Sequence, residues 1–144
     1  MTRQTVFKQI EETFGFVPSF MKAIPEASLE LEWQLMKRLQ LDQGPIPNKY
    51  RELIGIGIAA ATRCPYCVCL HTELARLHGA SELEIEDAMH FAKMSTGLST
   101  YLHGLQCDLK EFRAEIKRIA DFLKMKQAGV SVVRPGKPDL SRHI

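Results

Sequence analysis

Residues 49–79, KYRELIGIGIAAATRCPYCVCLHTELARLHG, decide the fold of this chain. The segment contains two helix-forming runs, and the break between them lies at Pro65, a residue that suits the first position of a helix but not its interior. The first run is rich in Ile and Ala, which indicates burial on most of its sides. The second run has Cys64 at its N-cap and stops at Gly79. Two helices joined by so short a turn predict an antiparallel hairpin.

The rest of the chain is also predicted to be helical. A short helix opens the chain, a connector with two prolines follows, and a helix from Pro25 ends before DQGPIPN. The sequence SELE from Ser81 is a capping box, which predicts a helix to about Lys93. From about Ser95 we expect one long last helix, because apolar residues recur there in alternating steps of four and three. The residues of this heptad seam are Leu98, Leu102, Leu105, Leu109, Phe112, Ile116, Ile119 and Leu123.

These elements predict an all-α protein in which an antiparallel helix hairpin precedes a long C-terminal helix. No alternation of apolar and polar residues lasts long enough to predict strands. We expect residues 1–126 to form a single domain, since a chain of 144 residues is long enough to bury its own core. The tail 127–144, QAGVSVVRPGKPDLSRHI, is rich in Gly and Pro and is expected to be an extended or flexible arm.

Composition excludes several classes of partner and location. Hydrophobic residues make up 45% of the chain, charged residues 25%, and the net charge of +2 gives no sign of nucleic-acid binding. No apolar run approaches the roughly 20 residues of a membrane span, and the N-terminus lacks the apolar core of a signal peptide. We therefore expect a cytoplasmic protein. Thiols stay reduced there, so closely spaced cysteines indicate metal or redox chemistry rather than a structural disulfide.

Three residues of the second hairpin helix form a candidate dithiol site. Cys64, Cys67 and His71 are spaced i, i+3, i+7, which places them on one helical face. Both cysteines lie at the start of the helix, where free N–H groups and the helix dipole favour a thiolate. His71, one turn further on, can accept or return a proton at neutral pH.

The hairpin geometry also predicts a carboxylate partner for the histidine. If the helices on either side of Arg63 fold back on each other, His71 lies opposite Gly55. Glu52 is then about 4.5 Å of helix rise away, which both side chains can span. A Glu52–His71 pair would orient the imidazole in the way that a third residue orients the base of a catalytic triad. The alternative is that Glu52 pairs with a nearby basic residue, Lys49 or Arg51.

These residues resemble a known motif. Glu52, eleven residues, Cys64-Pro65-Tyr66-Cys67, three residues and His71 match the E-x(11)-C-x-x-C-x(3)-H pattern of alkylhydroperoxidase D (AhpD) and its relatives in the carboxymuconolactone decarboxylase superfamily. The similarity spans about residues 15–105 and includes the segments GFVPSFMKAIPE and HTELARLHGAS. The resemblance implies an AhpD-like all-helical fold, trimeric or hexameric assembly, and thiol-dependent peroxidase activity.

The resemblance further implies a role for each matched residue. Cys67 would be the peroxidatic thiol and Cys64 the resolving one, with Glu52 and His71 as the proton relay. The substrate would be a peroxide, reduced at the expense of a lipoyl- or thioredoxin-type dithiol donor, and no cofactor or metal is implied. Tyr66 departs from AhpD, which has histidine there, so the relay is expected to be shorter and Tyr66 to line the site. Lactone decarboxylase activity is not implied, because those enzymes lack the cysteine pair.

Two alternatives compete with the dithiol interpretation. The two cysteines can be small buried hydrophobic residues, as free cysteines often are. They can also ligate zinc with His71, in which case the protein would be a redox-sensing or zinc-stabilised interaction protein without catalytic activity. The candidates for a fourth zinc ligand are His78, His103 and Cys107. The other cysteines, Cys69 and Cys107, are expected to pack in the core.

Overall fold

The computed structural model describes residues 1–129, and all regular secondary structure in that range is helical. The predicted all-α class is therefore confirmed. A π-helical turn, Lys37–Leu41, continues the third helix. The helices are α1 (Arg3–Phe14), α2 (Ser19–Lys22), α3 (Glu26–Met36), α4 (Asn48–Ala61), α5 (Pro65–Leu77), α6 (Glu82–Gly104) and α7 (Leu109–Gln127).

The chain divides into two compact units, Met1–Thr96 and Gly97–Ile144, with the boundary inside α6. That residues 1–126 form a single domain stays a prediction. The expected tail begins at Gln127, which is the last residue of α7, and residues 130–144 of that tail lie outside the described residues.

The N-terminal helices of the first unit share one core. Val6 and Ile10 come from one face of α1, since residues four apart lie above one another on a helix. They pack with Met21, Leu29 and Trp33, all of which are buried. The indole N–H of Trp33 donates to the side-chain oxygen of Gln9 over 3.1 Å, so the buried ring has its polar group satisfied.

The predicted antiparallel hairpin is formed by α4 and α5. The N–H of Arg63 donates to the carbonyl of Ala60 over 3.2 Å, and the N–H of Cys64 donates to that of Ala59 over 3.0 Å. This is the Schellman pattern of a helix end. It requires a left-handed residue, and here that residue is Arg63, with φ of 57°, rather than glycine. The turn reverses the chain within three residues and leaves Cys64 at the start of α5.

A second core cluster joins the hairpin to the first part of α6. Ile56 of α4, Ala75 of α5 and Ile85 of α6 are buried together. The predicted capping box starts α6: the backbone N–H of Ser81 donates to the Glu84 carboxylate over 2.8 Å, and the Glu84 N–H donates to the Ser81 hydroxyl over 3.2 Å. Lys49 at the start of α4 donates to the same carboxylate over 2.7 Å. This hydrogen bond therefore holds the start of α4 against the start of α6.

The predicted helix boundary between Lys93 and Ser95 is wrong, because α6 continues through it to Gly104. The hydroxyl of Thr96 donates to the carbonyl of Ala92 over 2.9 Å, so this polar side chain bonds within the helix instead of capping a new one. The break lies further on, where Gln106 has φ of 52°. The side chain of Asp108 then caps α7 by accepting from the Glu111 N–H over 2.8 Å.

This break interrupts the heptad seam at Leu105, which lies between α6 and α7. The seam therefore does not run along one long helix. None of the residues of α7 is buried, and its apolar side chains Ile116, Ile119 and Leu123 are each about half exposed. Within residues 1–129, no helix is both long enough and apolar enough to cross a membrane.

Candidate dithiol site

The two cysteines of the CxxC pair lie at the first turn of α5. Cys64 is the N-cap and Pro65 the first helical residue, as predicted, and the sulfur of Cys64 accepts from the N–H of Cys67 over 3.2 Å. The Cα atoms of Cys64 and Cys67 are 5.3 Å apart, and the structure joins their sulfurs in a disulfide. Both residues are partly exposed, so the pair is accessible from solvent.

His71 and Glu52 lie next to each other across the hairpin. The Nδ1 atom of His71 is 2.7 Å from a carboxylate oxygen of Glu52, within hydrogen-bonding distance. The Glu52 side chain is 3% exposed and that of His71 is 20% exposed. A carboxylate buried to this degree needs a hydrogen-bond partner, and the imidazole provides it. The His71 ring is therefore still partly accessible to solvent.

The alternative partners for Glu52 are engaged elsewhere. Lys49 binds Glu84, as described above, and the Arg51 guanidinium donates to the backbone oxygen of Asp42 over 2.6 Å. Both cations are therefore already engaged, and the partner of Glu52 across the hairpin is His71. The four residues that the sequence singled out thus form two pairs, Glu52 with His71 and Cys64 with Cys67.

Gly55, which sequence reasoning placed opposite His71, was not among the predicted site residues. A Cβ atom placed on Gly55 would lie 2.5 to 2.7 Å from the Nδ1, Cγ and Cε1 atoms of His71, so the imidazole rests against the backbone of α4. Gly55 is buried within the helix and does not have a left-handed conformation. The signal that could have identified it was a glycine inside a helix, at the position predicted to lie opposite His71.

The other residues considered from sequence are exposed. Tyr66, between the two cysteines, is 85% exposed, so its ring has little packing. Cys69 and Cys107 are free and exposed, which corrects the prediction that they pack in the core. Cys107 lies in the connection between α6 and α7, where no regular packing face exists.

The described part of the chain offers no assembled metal site. In residues 1–129, no group of three or more His, Cys, Asp or Glu side chains is placed so that it could hold a metal ion. The zinc alternative requires four such ligands around Cys64 and Cys67. The sulfurs of this pair are bonded to each other instead.

The electrostatics beside the hairpin are set by a surface pair. Lys49 and the backbone N–H of Ser81 both donate to Glu84, and they lower the pKa of its carboxyl group from its usual value of 4.5 to about 2. The hydrogen bond from Glu84 likewise raises the pKa of the Lys49 amine. This pair is charged at neutral pH and holds the starts of α4 and α6 together.

Comparisons with known proteins find a matching family and a similar solved structure. Residues 18–107 match the model of the carboxymuconolactone decarboxylase family, and this range includes all four residues of the candidate site. A crystal structure described as the alkylhydroperoxidase AhpD core of Rhodospirillum rubrum superposes with a TM-score of 0.67. It is 23% identical, and the match covers 77% of this chain and 85% of that one. At this identity the likeness shows a shared fold.

The chain is also similar to a protein whose name states no activity. The chain is 26% identical over 77 residues to a protein of Paracoccus denitrificans called uncharacterized protein 4 in cox locus. The match covers 54% of this chain and 69% of that protein.

Proposed function

Because the chain belongs to the carboxymuconolactone decarboxylase family, we propose that it is a thiol-dependent peroxidase of the alkylhydroperoxidase type. It reduces organic hydroperoxides or hydrogen peroxide through a dithiol–disulfide cycle of Cys64 and Cys67. The observation that carries this proposal is the buried Glu52–His71 pair, which lies one helical turn beyond a cysteine pair at a helix start. A structural cysteine pair needs neither a base nor a carboxylate behind it.

In the first half of the cycle, Cys67 is the peroxidatic residue. Its position in the first turn of α5 favours the thiolate, because the helix dipole and the free N–H groups stabilise a negative charge there. The thiolate attacks the terminal oxygen of the hydroperoxide and the O–O bond breaks. Cys67 becomes a sulfenic acid, and His71 returns to the leaving alkoxide the proton that it took from the Cys67 thiol, which yields an alcohol.

In the second half, Cys64 resolves the sulfenic acid. Its thiolate attacks the sulfur of Cys67, an S–S bond forms, and the hydroxide that leaves is protonated to water. The Cα separation of 5.3 Å suits this bond without movement of the helix. An external dithiol then reduces the disulfide and is itself oxidised. We propose a donor of the lipoyl or thioredoxin type.

The surroundings of the pair support organic hydroperoxides as substrates. Tyr66 is 85% exposed and Leu70 is 41% exposed, so apolar surface lies beside the sulfurs on the solvent side. Covering such surface with an alkyl or aryl group of the substrate lowers the free energy of the complex. The cycle also requires a reducing compartment, which supports the proposal of a cytoplasmic protein.

We further propose that the protein is a homo-oligomer, a trimer or a hexamer. An open apolar groove of about 640 Å³ runs between α4 and α6 in the first unit. Its lining includes Tyr50, Ile54, Ile58 and Phe91, each of which is about half exposed or more. Apolar surface of this kind is typical of an interface between subunits.

The test is turnover of cumene hydroperoxide and hydrogen peroxide with dihydrolipoamide or reduced thioredoxin as donor. Cys67→Ser should abolish turnover, whereas Glu52→Gln and His71→Ala should each slow oxidation of Cys67 by about 10²-fold, the usual contribution of a general base. Cys69→Ser is the matched control, because Cys69 is a free exposed thiol on the same helix. It should leave the rate unchanged.

The same preparation distinguishes the alternative of a zinc-stabilised or sensing protein. Bound zinc is measured together with the number of thiols that remain after peroxide is added. One zinc per chain, with thiols that peroxide leaves intact, would overturn the proposed activity. Equal rates in the wild type, Glu52→Gln and His71→Ala would show that the relay is assigned to the wrong residues.

A further inference from the structure

We propose that Gly55 is a positioning residue for His71. The lack of a side chain at this place on α4 provides the space in which the imidazole lies and meets Glu52. The effect of Gly55 on turnover rests on the proposed peroxidase function, whereas its effect on the position of the ring does not.

The imidazole of His71 leaves no room for a side chain at position 55. A Cβ atom on Gly55 would lie 2.5 Å from Nδ1, 2.6 Å from Cγ and 2.7 Å from Cε1 of His71. Carbon atoms in contact prefer separations of about 3.5 to 4.0 Å, so each of these distances is too short by roughly 1 Å. Every residue except glycine carries a Cβ, and every one would therefore collide with the ring where it now lies.

Conformation does not account for this glycine. The glycines with positive φ in the described residues are Gly15, Gly79 and Gly129, and Gly55 is not among them. Glycine inside a helix is less favourable than alanine. Gly55 therefore lowers the stability of α4. The physical reason for a glycine at this position is that the His71 ring occupies the place of a side chain.

The collision would move the ring rather than separate the helices. The imidazole can rotate about its side-chain bonds, whereas α4 and α5 are tied by the buried Ile56 and Ala75 and by the turn at Arg63. The bond between Nδ1 and the Glu52 carboxylate is 2.7 Å long and leaves no slack for such a rotation. A side chain at position 55 would therefore break the Glu52–His71 pair while the hairpin stays folded.

The chain provides a matched control two residues further along α4. A Cβ atom on Gly57 would lie 3.6 Å from the Cβ of Ala92, which is an ordinary contact. Gly57→Ala and Gly55→Ala make the same chemical change in the same helix. They differ in what the new methyl group meets.

The experiment compares these two variants by NMR of protein labelled at glycine and histidine. In the wild type we expect a nuclear Overhauser effect between the Hε1 proton of His71 and the Hα protons of Gly55. Gly57→Ala should keep the His71 ring signals, and Gly55→Ala should shift them as Glu52→Gln does. Gly55→Ala should also slow Cys67 oxidation by ten- to a hundredfold, and Gly57→Ala by less than twofold.

A double variant separates positioning from general damage. In the His71→Ala background, Gly55→Ala should change the rate by less than twofold, because the ring it acts through is gone. If Gly55→Ala folds poorly, the added His71→Ala should raise its thermal midpoint by removing the collision. The inference is overturned if the wild type lacks the Overhauser effect, if Gly55→Ala leaves the ring signals and the rate unchanged, or if the two substitutions act additively.

These outcomes are distinct from failure of the proposed function. A wild-type protein without peroxidase activity would refute the proposed function. The ring signals and the thermal midpoints would still decide whether Gly55 positions His71.

Discussion

His71 is held by two residues of the neighbouring helix, which constrain it in different ways. The Glu52 carboxylate fixes the orientation of the ring through one nitrogen, and the bare backbone at Gly55 sets how closely the ring approaches α4. Both residues lie on the buried side of α4, whereas the groove residues Ile54 and Ile58 lie on its exposed side. The position of the His71 ring therefore depends on one face of α4.

The two cysteines should respond differently to substitution by serine. Cys64→Ser keeps the N-cap of α5, since a serine oxygen accepts the Cys67 N–H as well as sulfur does. This variant should react once with cumene hydroperoxide and retain a sulfenic acid on Cys67, which dimedone traps. Cys67→Ser should not be oxidised at this rate. Intact-protein mass spectrometry after one equivalent of peroxide measures both.

Oxidation of Cys64 instead of Cys67 would contradict this assignment. A dimedone adduct on Cys64 in the Cys67→Ser protein, formed at the wild-type rate, would exchange the two roles. Circular dichroism of both variants is the control, because loss of the cap would lower the helix content of the hairpin.

Among the secondary-structure elements, most helix starts were predicted and the break before the last helix was missed. Pro65 and the Ser81–Glu84 capping box act within one turn of chain, so their effect is visible in the sequence. The break at Gln106 was missed because the leucine spacing continues through it and a left-handed glutamine is uncommon. The local signals that could have identified it are Gly104, where α6 ends, and Asp108, the N-cap of α7.

The same division holds within the site. The pairing of Glu52 with His71 follows from counting residues on each side of a short turn, because two packed helices have a fixed rise. Exposure of Cys69 could not be predicted in this way. Helical spacing shows which face of α5 it occupies, but not whether another element covers that face.

The fastening of α4 to α6 should depend on pH. The pKa of Glu84 lies at about 2 in the folded protein and near 4.5 when unfolded, so its stabilisation is fully present above pH 4.5. The stabilisation is lost as the pH falls from 4.5 to about 2. Glu84→Gln should therefore lower the thermal midpoint by a few degrees at pH 7, since surface pairs contribute little, and by progressively less below pH 4.5.

Thermal melts of both proteins at several pH values between 7 and 2 measure this difference. Glu86→Gln is the matched control, because Glu86 is an exposed carboxylate on the same helix. A gap between wild type and Glu84→Gln that stays constant down to pH 2 would show that the carboxylate does not fasten the helices.

At the scale of the whole molecule, the exposed apolar surface of the first unit should determine assembly. We expect a second copy of the chain to cover the groove between α4 and α6. Ile58 is 60% exposed and Phe91 is 73% exposed, so a charge at either place adds no burial cost within one chain. Ile58→Glu and Phe91→Glu should each convert the oligomer to smaller species in light scattering coupled to size-exclusion chromatography.

Leu31→Glu is the control, because Leu31 is 69% exposed on α3 and does not line the groove. It should leave the mass of the oligomer unchanged. A monomeric wild type, or equal dissociation by Leu31→Glu, would argue against this face as the interface.

The three-residue turn after α4 has a consequence for how relatives of this chain are recognised. One residue inserted between Glu52 and the turn would rotate the carboxylate about 100° around α4 and shift it by about 1.5 Å. The eleven residues between Glu52 and Cys64 must therefore keep this number if the carboxylate is to meet His71. Sequence searches that let this interval vary would collect hairpins that keep both cysteines and have lost the Glu52–His71 pair.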